Sequence, residues 1–381
     1  MQYRKFGRLD LEISALGFGC MRFPVIGNDN GKIDENEAIR MVRYAIDNGV
    51  NYIDTAYPYH QGSSEPLVAK ALKDGYREKI KLATKLPVWL VKTYDDFDKY
   101  LNEQLERLET EHIDFYLLHA LNRKTWENSK KLGVLDFVDK ALKDGRIKHI
   151  GFSFHDNLEL FKEIVDSYDW TFCQIQFNYM DEEYQAGIDG MKYAAAKDLA
   201  VIIMEPLKGG KLAKKPRGEI KEVWDEYGID KTSPDLALRW VWNHPEVTLL
   251  LSGMSTMEQV EQNIKSAEDA FPLSLTNKEI KLVDELKNIY RQRNKVGCTG
   301  CEYCMPCPNN IVIPDIFEIY NEYYIYDSVK EGHDFYNRIM NAKKDASLCI
   351  ECAKCETACP QNLAIINYLK EAHEVLSKEN K

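Results

Sequence analysis

Four side chains that can exchange or tune protons stand at, or just beyond, the ends of three successive apolar segments. Asp54 lies near the end of the segment NYIDTA, and Tyr59 follows it in a loop. Lys85 and His119 lie near the ends of the next two segments. Each side chain alone fits an ordinary strand-end position. A carboxylate, a phenol, an ammonium and an imidazole in one place are suited to acid–base catalysis, because each group shifts the pKa of its neighbours.

These four groups can meet only on a scaffold that gathers the ends of distant strands. Eight apolar, strand-like segments alternate with helical segments, at 15–20, 51–56, 79–86, 113–120, 147–154, 172–178, 200–207 and 247–254. Continuous apolar runs are typical of parallel strands buried on both faces. We therefore predict an α/β fold, a (β/α)8 TIM barrel, with the four groups at its C-terminal rim. A doubly wound sheet is the alternative, but no GxGxxG follows any strand-like segment.

Apolar spacing and capping residues predict the helices between these strands. They lie at 35–49, 63–74, 95–109, 133–144, 156–167, 186–198, 233–243 and 256–269. Before the first strand, residues 2–12 predict a short β-hairpin that would cap one end of the barrel.

Length and composition restrict the function classes. The 381 residues suffice for one barrel and a smaller domain. A formal net charge of −11 gives no basic face, so we expect no nucleic-acid partner. The N-terminal MQYRKFGRLD has no apolar signal core, and no apolar run approaches the roughly 18–20 residues that cross a bilayer. We therefore expect a cytoplasmic protein without a membrane partner.

Cysteine placement indicates a metal-binding segment. Eight of the ten cysteines lie between Cys298 and Cys359. They form one run, CxxCxxCxxCP, and a second run, CxxCxxCxxxCP, which has the spacing of bacterial ferredoxins. Two dense groups in a chain without a signal peptide favour metal over disulfides, and soft thiolates suit iron–sulfur clusters. Zinc is the alternative, although zinc sites use other spacings.

The motifs IDTAYPY, LATK and LLHA resemble the aldo-keto reductase family, and the resemblance covers roughly residues 1–290. It implies NAD(P)H-dependent reduction of a small-molecule carbonyl, with the four rim groups as a catalytic tetrad. Tyr59 would donate the proton, and Lys85 would lower its pKa from the free value near ~10. Asp54 would hold Lys85 charged, and His119 would polarise the carbonyl. In the family pattern DTAxxYGxGxSE, a glycine stands where this chain has His60.

The same resemblance implies contacts to the nicotinamide at the ends of the later strands. Ser153 and Gln174 would bind the carboxamide, while Phe154 replaces the usual asparagine. Met204 would cover the nicotinamide ring in place of an aromatic residue, since its thioether is polarizable.

Contacts to the rest of the nucleotide follow from two further segments. The loop PLKGG, with Pro206, Leu207 and Gly209, would wrap the pyrophosphate. The segment after the eighth strand resembles the family motif for the adenosine end, with Gly253, Ser255, Gln259 and Asn263 at the matching positions. Because Gly253 and Gln259 stand where the family places cations, we expect NADH to be accepted at least as well as NADPH. The departures at Phe154, Met204, Gly253 and Gln259 together also leave room for FMN.

The ferredoxin spacing implies two 4Fe–4S clusters in a ferredoxin-like domain at 291–381, after a barrel domain at 1–290. One cluster would be held by Cys298, Cys301, Cys304 and Cys359, and the other by Cys307, Cys349, Cys352 and Cys355. The clusters could be structural, or could exchange electrons with a ferredoxin-type partner.

Two functions remain open from the sequence. The first is a carbonyl reductase attached to, or coupled with, the iron–sulfur domain. The second is an electron-transfer or nucleotide-sensing subunit, in which the barrel, possibly with a flavin, relays electrons through the clusters to a redox partner. The presence of all four tetrad residues favours the enzyme.

Overall fold

The computed structural model describes residues 1–27, 29–298, 304–359 and 361–378, so Cys301 lies outside the described residues. The chain forms two compact units. The first comprises residues 1–214 and 231–275, and the second comprises residues 215–230 and 276–381.

Within the described residues, eight parallel strands close into a barrel in chain order, and the last strand pairs with the first. The strands are β3 (Leu16–Gly19), β4 (Tyr52–Asp54), β5 (Lys81–Leu86), β6 (Ile113–Leu121), β7 (Ile147–Phe154), β8 (Phe172–Gln176), β9 (Ala200–Met204) and β10 (Val247–Gly253). The predicted (β/α)8 barrel is confirmed, and each predicted strand is present. The strand ends that carry the four rim groups therefore lie on one side of one closed sheet.

The predicted hairpin consists of β1 (Tyr3–Lys5) and β2 (Glu12–Ser14), which pair antiparallel. It places Phe6 among residues at the starts of the barrel strands, with its ring 4.4 Å from that of Phe115 and 5.7 Å from that of Phe172. Phe6 is fully buried in this cluster. The hairpin thus closes the N-terminal end of the barrel, which leaves the C-terminal rim for chemistry.

The helices of the first unit are α1 (Glu35–Asp47), α2 (Ser64–Ala71), α3 (Asp95–Arg107), α4 (Arg123–Lys131), α5 (Val134–Lys143), α6 (Leu158–Ser167), α7 (Gly187–Ala195), α9 (Ser233–Trp242) and α10 (Met257–Ser266). The prediction missed α4, because this polar helix buries only Trp126 and Ser129 and so lacks apolar periodicity. Its N-terminus is instead fixed by a capping box between Asn122 and Thr125.

The second unit contains α8 (Gly218–Tyr227), α11 (Asn277–Arg293), α12 (Ile313–Ile325), α13 (Val329–Asn341), α14 (Lys354–Ala358) and α15 (Ile365–Leu376). Its core includes Phe317, Tyr320, Tyr336 and Leu369. The second unit begins at Thr276 and also includes residues 215–230, whereas the predicted boundary lies after residue 290. The reason is that α11 packs against α8 and α12. Arg293, at the end of α11, pairs with Glu219 and Asp327 of this same unit.

No helix among the described residues combines the length and apolar character needed to cross a bilayer.

Candidate active site and cysteine cavity

Lys85 is the centre of the site at the C-terminal rim. Its Nζ donates to Asp54 Oδ1 at 2.6 Å, to the Thr55 carbonyl at 2.8 Å and to the Tyr59 hydroxyl at 3.4 Å. Lys85 and Asp54 are buried, with relative exposures of 0% and 2%. All three protons of the ammonium are therefore directed to oxygen atoms, and one of these oxygens is the Tyr59 phenol.

His119 lies next to the Tyr59 ring. The two rings meet edge to face with centroids 6.1 Å apart, and the indole of Trp89 lies 5.0 Å from the imidazole. The Nδ1 atom of His119 is buried and has no hydrogen-bond partner among the described residues. The structure thus brings together all four side chains that the sequence predicted to meet.

A β-bulge in β6 lies next to His119 and affects the orientation of its side chain. The pairing of β6 with β7 shifts register between Leu118 and Leu121, and Ala120 adopts a left-handed φ of 55°. The Ser153 hydroxyl accepts a hydrogen bond from the Ala120 N–H at 2.7 Å and so holds the bulge. Bulges redirect side chains next to active sites. The sequence predicted Ser153 as a carboxamide contact and gave no sign of this second contact.

Burial controls the proton affinities at the rim. Burial raises the pKa of Asp54, against the opposing charge of Lys85. Burial also acts to lower the pKa of Lys85, but the charges of Asp54 and Tyr59 and the hydrogen bonds to them together outweigh burial, and the pKa is raised. The pKa of His119 falls well below 6.5 through burial and the charge of Lys85, so its imidazole is neutral at neutral pH.

Lys85 acts to lower the pKa of Tyr59, as expected, but it does not determine the direction of the net shift. Burial raises the pKa of this phenol above 10.0, and the positive charge of Lys85 only partly offsets that rise. The phenol consequently stays protonated across the neutral range. A protonated phenol can act as a proton donor.

The main chain of Lys85 is held by a buried hydrogen-bond network that the sequence analysis missed. The Gln104 amide donates to the Lys85 carbonyl at 3.0 Å and to Glu65 Oε1 at 2.7 Å. Glu65 also accepts from the Thr84 hydroxyl, and Tyr116 donates to the Gln104 amide oxygen. Glu65 stands in the segment GSSE, which offered a signal, whereas Gln104 lies in an ordinary amphipathic helix that offered none.

Ser153, Gln174 and Met204, which were predicted to contact the nicotinamide, lie on the adjacent strands β7, β8 and β9. The Gln174 amide nitrogen lies 3.7 Å from the Met204 sulfur. Its amide oxygen is buried without a partner among the described residues. An unpaired buried acceptor fits the N–H of a carboxamide group. Phe154 packs instead against Phe161 of α6, with ring centroids 5.2 Å apart.

The PLKGG loop follows β9 and turns sharply. Pro206 is buried, while Gly209 and Gly210 adopt left-handed φ values of 66° and 94°. The Leu207 carbonyl accepts from the N–H groups of Gly210 and Leu212. The loop is thus a compact turn whose glycines allow close approach of another group.

The residues predicted for the adenosine end are partly engaged with each other. Gln259 Oε1 accepts from the Ser255 N–H at 2.8 Å, and the Asn263 amide donates to Ser252 Oγ at 2.9 Å. The Ser255 hydroxyl donates to the Arg22 carbonyl at 2.8 Å.

Arg22 also lies against Gly253, since a Cβ added at Gly253 would approach Arg22 Cγ to 2.8 Å. Arg22 therefore brings a cation to the end of β10 from a remote segment. The sequence analysis missed it because only residues near Gly253 and Gln259 were considered there.

Among the described residues of the second unit, five cysteines line one cavity of about 240 Å³: Cys304, Cys307, Cys349, Cys352 and Cys355. Cys307, Cys349, Cys352 and Cys355 carry free thiols. These four form one of the two predicted ligand sets, so the donors present fit an iron–sulfur cluster chemically. The other predicted set includes Cys301, outside the described residues, together with Cys298, Cys304 and Cys359.

Comparisons with known proteins agree with this geometry. The sequence model of the aldo/keto reductase family matches residues 15–288. A model described as a 4Fe–4S dicluster domain matches residues 297–364.

Individual relatives each match about three quarters of the chain. The chain is 26% identical over 329 residues to the uncharacterized oxidoreductase YrpG of Bacillus subtilis, covering 75% of this chain and 96% of the relative. It is 25% identical over 308 residues to L-galactose dehydrogenase of Arabidopsis thaliana, covering 75% and 94%. The holo structure of an aldo-keto reductase from Bacillus halodurans superposes with a TM-score of 0.61 at 26% identity, covering 75% and 96%.

A closed eight-stranded barrel and a family match over most of the chain define the class. The chain belongs to the aldo/keto reductase family and is an oxidoreductase of that family. It carries in addition a 4Fe–4S dicluster domain, matched at residues 297–364.

Proposed function

We propose that this protein reduces the carbonyl group of a small molecule with a reduced nicotinamide cofactor. The observation that carries the proposal is the contact of Lys85 Nζ with both Asp54 and the Tyr59 hydroxyl, with His119 against the Tyr59 ring. Because Lys85 is fully buried, its charge acts in a site with little water and is weakly screened. A structural role alone does not require four ionisable groups at one rim.

A bound reduced nicotinamide would supply hydride to the carbonyl carbon. The unpaired amide oxygen of Gln174 would accept from the carboxamide, and the Ser153 hydroxyl and Met204 lie on the neighbouring strands. The PLKGG loop would hold the pyrophosphate, and the end of β10, with Arg22, would hold the adenosine end.

The chain's own residues move the proton. Tyr59 holds it on the phenol oxygen and gives it to the substrate oxygen as negative charge develops there. Lys85 then stabilises the resulting phenolate, and Asp54 keeps Lys85 oriented. The neutral imidazole of His119 donates an N–H to the same substrate oxygen and polarises the carbonyl.

The second domain would bind two 4Fe–4S clusters, which carry single electrons. We propose that one of them is held by the four free thiols around the cavity and the other by Cys298, Cys301, Cys304 and Cys359. A ferredoxin-type protein is the proposed partner for electron exchange. Nicotinamide chemistry moves electrons in pairs, so the clusters would not replace the hydride donor.

Anaerobic purification followed by three measurements tests the proposal. We expect about eight irons per chain, oxidation of NADH that depends on an added aldehyde such as 4-nitrobenzaldehyde, and no tightly bound flavin. Bound FMN, or an absence of aldehyde-dependent NADH and NADPH oxidation in iron-loaded protein, would favour the electron-relay alternative.

A further inference from the structure

His60 follows Tyr59 directly and adopts an unfavourable backbone conformation. Its φ and ψ are 52° and 42°, and those of the next residue, Gln61, are 57° and 31°. Residues with side chains rarely occupy this left-handed region, and two in succession are rarer still. Such a conformation persists only where surrounding contacts enforce it.

The His60 imidazole makes those contacts. The Phe23 N–H donates to Nε2 at 3.1 Å, so Nε2 must be the unprotonated nitrogen. Nδ1 therefore carries the proton and donates to the Asn30 carbonyl at 2.7 Å. The ring also packs against that of Phe23 with centroids 5.8 Å apart, and His60 is only 3% exposed.

Both partners of His60 lie in the β3–α1 loop, residues 20–34. This loop is itself braced by an antiparallel bridge between Val25 and Ile33 and by the Asp34 N–H, which donates to the Pro24 carbonyl at 2.8 Å. Phe23 packs in turn against Phe18 of β3, with centroids 6.0 Å apart. The Tyr59 loop is the segment between β4 and α2, residues 55–63. His60 thus links this loop to the β3–α1 loop, which in turn packs on β3 of the barrel.

We propose that His60 is a positioning residue for Tyr59: its two hydrogen bonds hold the Tyr59 loop so that the phenol stays within reach of Lys85. The inference rests on the proposed function, because it assigns His60 a part in proton donation. The neutral imidazole is required, since a protonated Nε2 could not accept from Phe23. Burial lowers the pKa of His60, which keeps the ring neutral at neutral pH.

His60→Gly tests this role, because glycine adopts the left-handed conformation without strain and removes only the imidazole contacts. We expect kcat for aldehyde reduction to fall about tenfold or more, since misplacement of a reacting group slows the chemical step. The KM values for NADH and aldehyde should stay within about twofold. Gln61→Gly is the matched control, because it relieves the same kind of backbone strain but leaves His60 in place, and its kcat should be unchanged.

A double variant separates positioning from general damage. If His60 acts through Tyr59, adding His60→Gly to Tyr59→Phe should cost no more than about a further twofold. A loss as large as in the parent background would overturn the inference, and so would a kcat for His60→Gly equal to that of Gln61→Gly.

Crystal structures give a readout that needs no turnover. In His60→Gly the Tyr59 hydroxyl should move beyond hydrogen-bond reach of Lys85 Nζ, whereas in Gln61→Gly it should stay. A hydroxyl that keeps its 3.4 Å distance in His60→Gly would overturn the positioning role whatever the parent enzyme catalyses. Absence of turnover in the parent would instead count against the proposed function.

Discussion

At the scale of single residues, the rim is governed by desolvation as much as by charge. The identities and meeting of Asp54, Tyr59, Lys85 and His119 could be predicted from residue types at strand ends. The direction in which the pKa of Tyr59 shifts could not be predicted, because it depends on how completely the folded chain excludes water from the phenol. The contacts of Ser153 and His60 likewise depend on a bulge and a left-handed turn that leave no simple sequence pattern.

The pH dependence of reduction follows from these directions. Because the pKa of Tyr59 is raised above 10.0, the donor stays protonated as pH increases through the neutral and mildly alkaline range. Because the pKa of His119 lies well below 6.5, its imidazole does not become charged on mild acidification. We expect kcat for aldehyde reduction to be flat between about pH 6.5 and 9. A fall with a midpoint near pH 8 would show that the charge of Lys85 outweighs burial in setting the Tyr59 pKa.

At the scale of elements, periodicity predicted the barrel strands because each is a continuous apolar run. It failed for α4, whose sequence RKTWENSKK buries two side chains, and for α8, which buries only Ile220. Such helices are defined by caps and by packing partners remote in sequence.

Strands β7 and β8 approach each other closely at Gly151. A Cβ added at Gly151 of β7 would lie 2.5 Å from the Phe172 carbonyl of β8.

Gly151→Ala should therefore destabilise the barrel by about 1–3 kcal/mol, because neither backbone can yield without breaking the ladder. Thermal unfolding measures the effect. Gly297→Ala is the control, since the nearest atom to its added Cβ is 3.9 Å away. Equal melting temperatures for the two variants would contradict the close approach of β7 and β8.

We expect the residues at the end of β10 to determine the preference between NADPH and NADH. Gly253 and Gln259 provide no cation there, and Arg22 provides one from the β3–α1 loop. We expect kcat/KM for NADH to be at least that for NADPH, with about a hundredfold preference for NADPH as the limit that the interpretation allows, since a full cationic grip on the 2′-phosphate is missing. Arg22→Ala should weaken NADPH more than NADH, while Lys32→Ala in the same loop should affect neither. A larger preference in the parent would refute this interpretation.

At the scale of the whole molecule, a barrel of the aldo/keto reductase family is joined to a domain with ferredoxin spacing. The cysteine runs predicted that domain, because their spacing alone carries the signal. That α8 and α11 belong to this second unit could not be predicted. In the sequence, α8 lies between β9 and α9, which are both elements of the barrel unit.

Double substitutions test which cysteines share a cluster. Cys307→Ser combined with Cys349→Ser should remove one cluster and leave about four irons, because the ferredoxin spacing assigns both residues to one ligand set and both line the same cavity. Cys298→Ser combined with Cys349→Ser should remove both clusters. Iron analysis and electron paramagnetic resonance of the reduced proteins distinguish the pairs, and near-complete iron loss in the first pair would contradict the assignment.

The central claim is that Tyr59 donates the proton at the rim, and a pair of tyrosine variants tests it most directly. Tyr57 lies two residues earlier and donates to Glu103 rather than contacting Lys85, so Tyr57→Phe is a matched control. We expect Tyr59→Phe to lower kcat for aldehyde reduction by about a hundredfold or more with unchanged iron content, and Tyr57→Phe to leave it nearly unchanged. Equal rates in Tyr59→Phe and the parent would contradict the account.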